Sequence, residues 1–202
     1  DVPYTYKTCT VKLVNKNLSH LLFNVMSHEQ VGMYAVYIST HGNMPDLFRN
    51  NPYAGELKDP LLYDVPKEYK EADSKFAAML EVAEKYLGYP YVWGGSDPST
   101  SFDCSGFVSW VLVNSGVKDV GRLGATSLYG VLTPVREDEA RPGDIIFFEG
   151  TLGEGVEGND GITHCGIYVG DGMMIHCGSP ISYADLSRSY WQEHFYGYAR
   201  AY

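Results

Sequence analysis

Long apolar runs are missing from this chain. No stretch approaches the ~20 residues that a membrane-spanning helix needs, and no charged-then-apolar leader opens it. Clusters of Lys and Arg are missing as well. With 15 Lys and Arg against 25 Asp and Glu, the formal charge is -10 at pH 7, so a surface that tracks phosphates is not expected and no nucleic-acid partner is predicted. The four cysteines, Cys9, Cys104, Cys165 and Cys177, lack the spacing of a zinc site or of a small disulfide scaffold, which leaves the redox compartment open. There is no internal repeat and no low-complexity tract. The glycine-rich stretch "GTLGEGVEGNDG" at 150 to 161 carries no Lys and does not space its glycines like a phosphate loop, so it reads as a flexible acidic rim and no cofactor is expected. The chain begins at Asp1 rather than Met, the pattern of a processed form or of a piece of something longer.

What remains is the profile of an ordinary globular chain. Of 202 residues, 45% are hydrophobic and 20% charged, with 17 Tyr, 3 Trp and 8 Phe, enough apolar surface for a core and for aromatic-walled clefts. "YTYKTCTVKLV" at 4 to 14 alternates like a half-buried strand. "SHEQ" at 27 to 30 has the form of a capping box, followed by Val31, Tyr34, Ala35 and Ile38 at helical spacing. From Asn43 to Tyr69, four prolines among Asn, Asp and Gly predict an irregular wrapping linker.

Three further stretches build a domain. Phe76, Met79, Leu80, Ala83 and Leu87 make one helical stripe that Gly88 and Pro90 should end. Phe107, Val108, Val111 and Leu112 repeat at the same spacing before Gly116, which puts Cys104 in the first turn of a helix with Asp103 as its cap. "DIIFF" from 144, "ITHCGIYV" from 162, "MMIHC" from 173 and "FYGYARAY" from 195 then read as strands. Helices first and antiparallel strands afterwards imply an α+β domain.

A thiol at a helix start meets unpaired backbone N–H groups and the positive end of the dipole, both of which favour thiolate. A thiolate nucleophile needs an acid and base close by, and histidine suits that task. His20, His28, His41 and His194 read as solvated or packing residues. His164 and His176 lie on the two arms of a predicted hairpin; a turn centred on Gly170 sets position 164 opposite 176, so both imidazoles share one face. Zinc held by Cys104, His164 and His176 is the competing reading of the same residues.

"YPYVWGG", "FDCSGFVSW", "RPGDIIFF" and "THCGIYVGDGMMIHCG", in that order and spacing, resemble the NlpC family of cell-wall cysteine peptidases, papain-like hydrolases of bacterial peptidoglycan. The resemblance covers about residues 71 to 202 and implies a papain-like α+β fold with its helices packed on a central antiparallel sheet. It implies Cys104 as nucleophile, His164 as general base and acid, His176 as the residue that orients the first imidazole, and Tyr91 at the oxyanion together with the backbone N–H of Cys104. It also implies that Asp103 and Ser105 contact the polar end of a stem peptide and that Trp93 walls the cleft; their plainer readings are cap, helix-start residue and core aromatic. Arg122 has the chemistry to bind a substrate carboxylate, or is an ordinary loop arginine. Cys165 and Cys177 stand where relatives usually carry small or apolar residues and are expected as two free thiols on the core side, with a disulfide across the hairpin as the minority reading.

The implied reaction is hydrolysis of the γ-D-glutamyl to diamino acid amide of a peptidoglycan stem peptide, outside the cell or at its surface. Residues 1 to 70 form an N-terminal extension without common wall-binding repeats. More loosely, it resembles extensions on hydrolases carried by conjugative elements, which would add transfer machinery as a partner and a membrane tether on a segment outside this chain. Two other classes fit the same residues: a wall-binding component of a secretion or conjugation apparatus with weak or no hydrolysis, and an intracellular amidase or acyltransferase.

Overall fold

The computed structural model describes residues 61, 63–152 and 161–202. The strand expected at 4 to 14, the capped helix from 27, the three N-terminal histidines, most of the linker and most of the glycine-rich stretch lie outside the described residues. The linker's last part is not irregular. Helix α1 (Lys67–Ala72) follows directly on Pro66, because a proline's fixed φ suits the chain entering a helix although it would break a helix interior. This helix runs across residue 70, and Val65 before it is buried in the main core.

Helix α2 (Ser74–Glu84) is capped by Asp73, whose carboxylate accepts from the N–H groups of Lys75 and Phe76. It buries Phe76, Met79, Leu80 and Ala83, while Leu87 packs from the turn beyond the helix. A two-stranded ribbon, β1 (Ser96–Asp97) and β2 (Ser101–Phe102), leads into helix α3 (Cys104–Asn114). Nearly every residue of α3 up to Leu112 is buried, so it is a central helix rather than an amphipathic surface one. Helix α4 (Ala125–Val131) follows.

The rest is a six-stranded antiparallel sheet: β3 (Thr133–Val135), β4 (Ile145–Glu149), β5 (Ile162–Gly170), β6 (Met173–Cys177), β7 (Ile181–Asp185) and β8 (Phe195–Arg200), in the order β3-β8-β4-β5-β6-β7. A short helix, α5 (Ser189–His194), precedes β8. Alternation divides the strands between two cores. Ile145, Phe147, Cys165, Ile167, Ile175 and Cys177 pack with α2 and α3, whereas Ile146, Phe148, Met174 and Tyr198 pack with Trp191 of α5. The longer helices on one face of an antiparallel sheet, with the short α5 against the other, make the α+β, papain-like arrangement anticipated above.

The β5–β6 hairpin has a different register from the expected one. Gly166, not His164, stands opposite His176. The turn is made by Asp171 and Gly172, at φ 51° and 69°, the left-handed pair that a two-residue hairpin turn requires, and the register shifts between Tyr168 and Gly170. The two histidines are therefore diagonal neighbours. A displacement of two residues preserves the side of the sheet, so they still share a face.

Candidate active site

The start of α3 is built on the segment before it. Val92 N–H donates to the Phe102 carbonyl at 2.8 Å, and Asp103 N–H donates to the Gly95 carbonyl at 3.0 Å. The helix then sits directly on the Gly94–Gly95 backbone: a Cβ at Gly106 would lie 2.1 Å from the Gly95 carbonyl oxygen, and one at Gly95 would lie 2.5 Å from that of Ser101. Two quoted motifs, "YVWGG" and "FDCSG", thus become one contact that requires glycine at 106, while glycine at 95 is required by the neighbouring Ser101 carbonyl. The same contact carries Tyr91, which bridges to Phe102, up to Cys104.

Asp103 holds this junction together. One carboxylate oxygen accepts from Gly106 N–H at 2.7 Å and Ser105 Oγ at 3.1 Å; the other accepts from Gly94 N–H at 3.0 Å and Arg122 Nη2 at 2.5 Å. Four donors fill the four acceptor positions of the carboxylate. Arg122 also donates to Ser105 Oγ at 3.0 Å, so Asp103, Ser105 and Arg122 are bound to one another. The guanidinium balances a carboxylate that would otherwise oppose negative charge on the neighbouring sulfur.

Cys104 occupies the first helical position, where the backbone N–H has no intrahelical acceptor. Its side chain, 5% exposed, lies 3.8 Å from the Thr163 carbonyl through Sγ. The pairing of β4 with β5 shifts there, from Phe148 opposite His164 to Glu149 opposite Ile162, so Thr163 is the extra residue of a bulge. Bulges bend a strand and re-aim its side chains; the paired register of β5 with β6 also begins only at Gly166. His164 can therefore reach the sulfur from the end of the sheet although Cys165 faces the helix. A hydrogen bond from the Cys165 thiol, together with the charge and hydrogen bond of His164, outweighs burial and holds the Cys104 thiol well below its usual range. Burial pushes Cys165 the other way, well above it.

His164 Nε2 lies 2.8 Å from His176 Nδ1, a distance at which one ring donates a proton to the other. His176 is 7% exposed; burial, and then the charge of His164, push its pKa well below 6.5 and keep it neutral. A neutral His176 that accepts at Nδ1 carries its proton on Nε2, and His164, donating from Nε2, keeps Nδ1 for the sulfur. Among the described residues no group of three or more His, Cys, Asp or Glu could hold a metal ion. Burial, then the charges of Cys104 and Asp103, keep the Tyr91 phenol far above its ordinary range, and it hydrogen-bonds Cys104; it is a proton donor at the sulfur.

The structure thus brings Cys104, His164, His176 and Tyr91 together, and ties Asp103, Ser105 and Arg122 beneath them. Trp93 is 74% exposed and presents an open apolar face rather than a packed wall. His194 donates from Nδ1 to the Glu149 carbonyl at 2.8 Å, a packing role as anticipated. Cys165 and Cys177 are free and buried, on the helix side. Sequence reasoning missed two neighbours of the site: Cys165, whose signal was only its place beside His164, and Trp191, which lies in a six-residue helix too short to show a period.

Residues 88–200 match the NlpC/P60 family. The chain is 41% identical over 135 residues, 66% of its length, to the bifunctional muramidase/DL-endopeptidase CwlT of Bacillus subtilis (strain 168), of which it spans 39%. It is 34% identical over 155 residues, 74% of its length, to the murein DD-endopeptidase MepH of Escherichia coli (strain K12), of which it spans 52%. Among solved structures, a lipoprotein-like NLP/P60 family protein of Staphylococcus aureus subsp. aureus Mu50 superposes with a TM-score of 0.57 at 30% identity, covering 87% of this chain and 62% of that one. The chain therefore spans about two fifths of the first of these curated relatives and about half of the second.

Proposed function

The chain belongs to the NlpC/P60 family, and on that premise we propose that it is a cysteine peptidase that cuts the γ-D-glutamyl to diamino acid amide of a peptidoglycan stem peptide at the bacterial cell wall. Residues 71 to 202 form the hydrolase unit in this reading. The observation that carries it is the sequence of contacts from Cys104, at a helix start, to His164 and from His164 Nε2 to His176 Nδ1 at 2.8 Å.

In the proposed reaction the Cys104 thiolate attacks the γ-carbonyl carbon. The oxygen, as it becomes negative, takes hydrogen bonds from the Tyr91 hydroxyl and from the Cys104 backbone N–H, donors fixed before the charge develops. His164, protonated at Nδ1, gives that proton to the departing amine, and the carbonyl re-forms as a thioester on Cys104. Water, losing a proton to His164, then attacks the thioester and restores the thiolate and imidazolium. His176 stays neutral throughout and accepts the hydrogen bond from His164 Nε2, which leaves Nδ1 for the sulfur, the part a carboxylate plays in serine hydrolases. The Asp103–Ser105–Arg122 cluster keeps the helix start in place beneath the sulfur, and Trp93 offers substrate a surface. The names of the relatives, DL-endopeptidase and murein DD-endopeptidase, support wall peptides as the substrate class.

Mass spectrometry of products from a defined muropeptide tests the reading. The wild-type protein should release a fragment ending in γ-D-glutamate, and Cys104→Ala should release none. Equal release by both proteins, or cleavage at a different bond, would overturn it.

A further inference from the structure

One group touches both imidazoles and has no part in the reaction above. The indole of Trp191 stacks on His164 with centroids 5.7 Å apart and planes at 26°, and meets His176 edge-on at 5.1 Å and 85°. The imidazoles are themselves nearly perpendicular, at 82°. Trp191 is held in turn by Phe148 at 4.7 Å and by Tyr190 at 5.0 Å and 78°, and its backbone N–H donates to the Arg188 carbonyl at 3.0 Å.

A single hydrogen bond between two rings is a hinge, since each can still turn about its Cβ–Cγ bond. His164 lies in a bulged stretch of strand that imposes no regular orientation. Fixing both rings takes a third rigid group in contact with each, and the flat, half-buried indole is that group. Its π face also attracts positive charge, and the ring lying on it is the one that carries a proton when Cys104 is ionised.

We propose that Trp191 is a positioning residue for the site: it sets the planes of His164 and His176 relative to each other and, through its π face, favours the imidazolium of His164 that accompanies the Cys104 thiolate. This rests on the reading of Cys104 and His164 as the reacting pair. A helix of only six residues, α5, thereby determines how well the thiol at the start of the chain's central helix reacts.

Two variants test it, with steady-state hydrolysis of a defined muropeptide and the rate of Cys104 alkylation by iodoacetamide, mapped by mass spectrometry, as readouts. Trp191→Leu keeps an apolar side chain but no ring, and should lower kcat about tenfold, as loss of a π-face contact with a cation predicts, with KM within about twofold of wild type. Alkylation should slow in parallel. Trp191→Phe should recover most of both. Wild-type kcat and alkylation in Trp191→Leu would overturn the inference, as would a Phe variant no better than the Leu variant at equal Tm. In the unmutated protein, NMR should show nuclear Overhauser contacts from the indole to ring protons of both His164 and His176; their absence would overturn it whether or not the variants fold. Hydrolysis that persists in Cys104→Ala would instead strike the parent reading, which the alkylation and NMR measurements do not use.

Discussion

Removing the His176 imidazole is the sharpest perturbation of the site that leaves the reacting atoms in place. His176→Ala deletes the acceptor for His164 Nε2–H, now 2.8 Å away. A hydrogen bond to a charged group contributes about 1.5–3 kcal/mol. In the proposed reaction His164 carries the proton that it gives to the departing amine, so the loss should fall on kcat, roughly tenfold to a hundredfold. His176→Asn retains an oxygen acceptor and should lie between the two. Because His176 is buried neutral, with its pKa depressed below 6.5 by burial, the sign of its stability effect is fixed. Above about pH 6.5 folded and unfolded chains both hold it unprotonated; as pH falls from there toward the depressed folded value, the unfolded chain binds a proton that the folded one does not, and stability declines. The alanine variant should lose that part of the decline. Muropeptide turnover with urea unfolding at pH 7 and pH 5 reads both effects. An alanine variant with kcat within about twofold of wild type, or an asparagine variant no better than alanine, would refute the reasoning.

Cys165→Ala removes the hydrogen bond that leads the depression of the Cys104 pKa, so alkylation of Cys104 should weaken first at the acid end of its pH profile, with a smaller effect in alkaline solution. Arg122→Leu leaves the largely buried Asp103 carboxylate without its cation and lets its charge oppose the thiolate. Because the arginine is 36% exposed, water replaces part of the pair, and a loss of about 1–2 kcal/mol in urea unfolding is expected together with slower alkylation. Gly106→Ala drives a methyl into the Gly95 carbonyl, 2.1 Å away; the helix start must shift, at about 2–4 kcal/mol of stability, with activity lost even where the variant still folds.

Much of the site could be read from residue order because its signals are local. The cap at Asp103, the apolar spacing after Cys104 and the glycine at 116 each act within a few residues, and the observed helix begins at Cys104 with Asp103 accepting from Gly106. The histidines' shared face followed from parity alone, which is why it survived a wrong register. The strands from 145, 162, 173 and 195 carried their own β-branched and aromatic composition.

Elements that depend on partners were illegible. Thr133–Val135 contains Pro134, which argues against a strand; it is one because it lies at the sheet's edge and pairs on one side only, with β8. Ile181–Asp185 is held by its register with Met173–Cys177 rather than by its own propensity. Arg122 and Asp103 are 19 residues apart, and nothing in the helix and loop between them announces that the guanidinium is committed to the cap.

By itself, then, the sequence determined which residues cap, which alternate, and that a thiol heads a helix while two imidazoles share a strand face, because each of these is a matter of spacing along the chain. Tertiary structure alone decided which groups touch that thiol. The bulge at Thr163 turns His164 to it, the glycine contact brings Tyr91 up, the opposing strand face supplies Cys165, and a distant short helix lays Trp191 against both histidines. Contacts between segments depend on twist, bulges and packing distance, which no local period encodes.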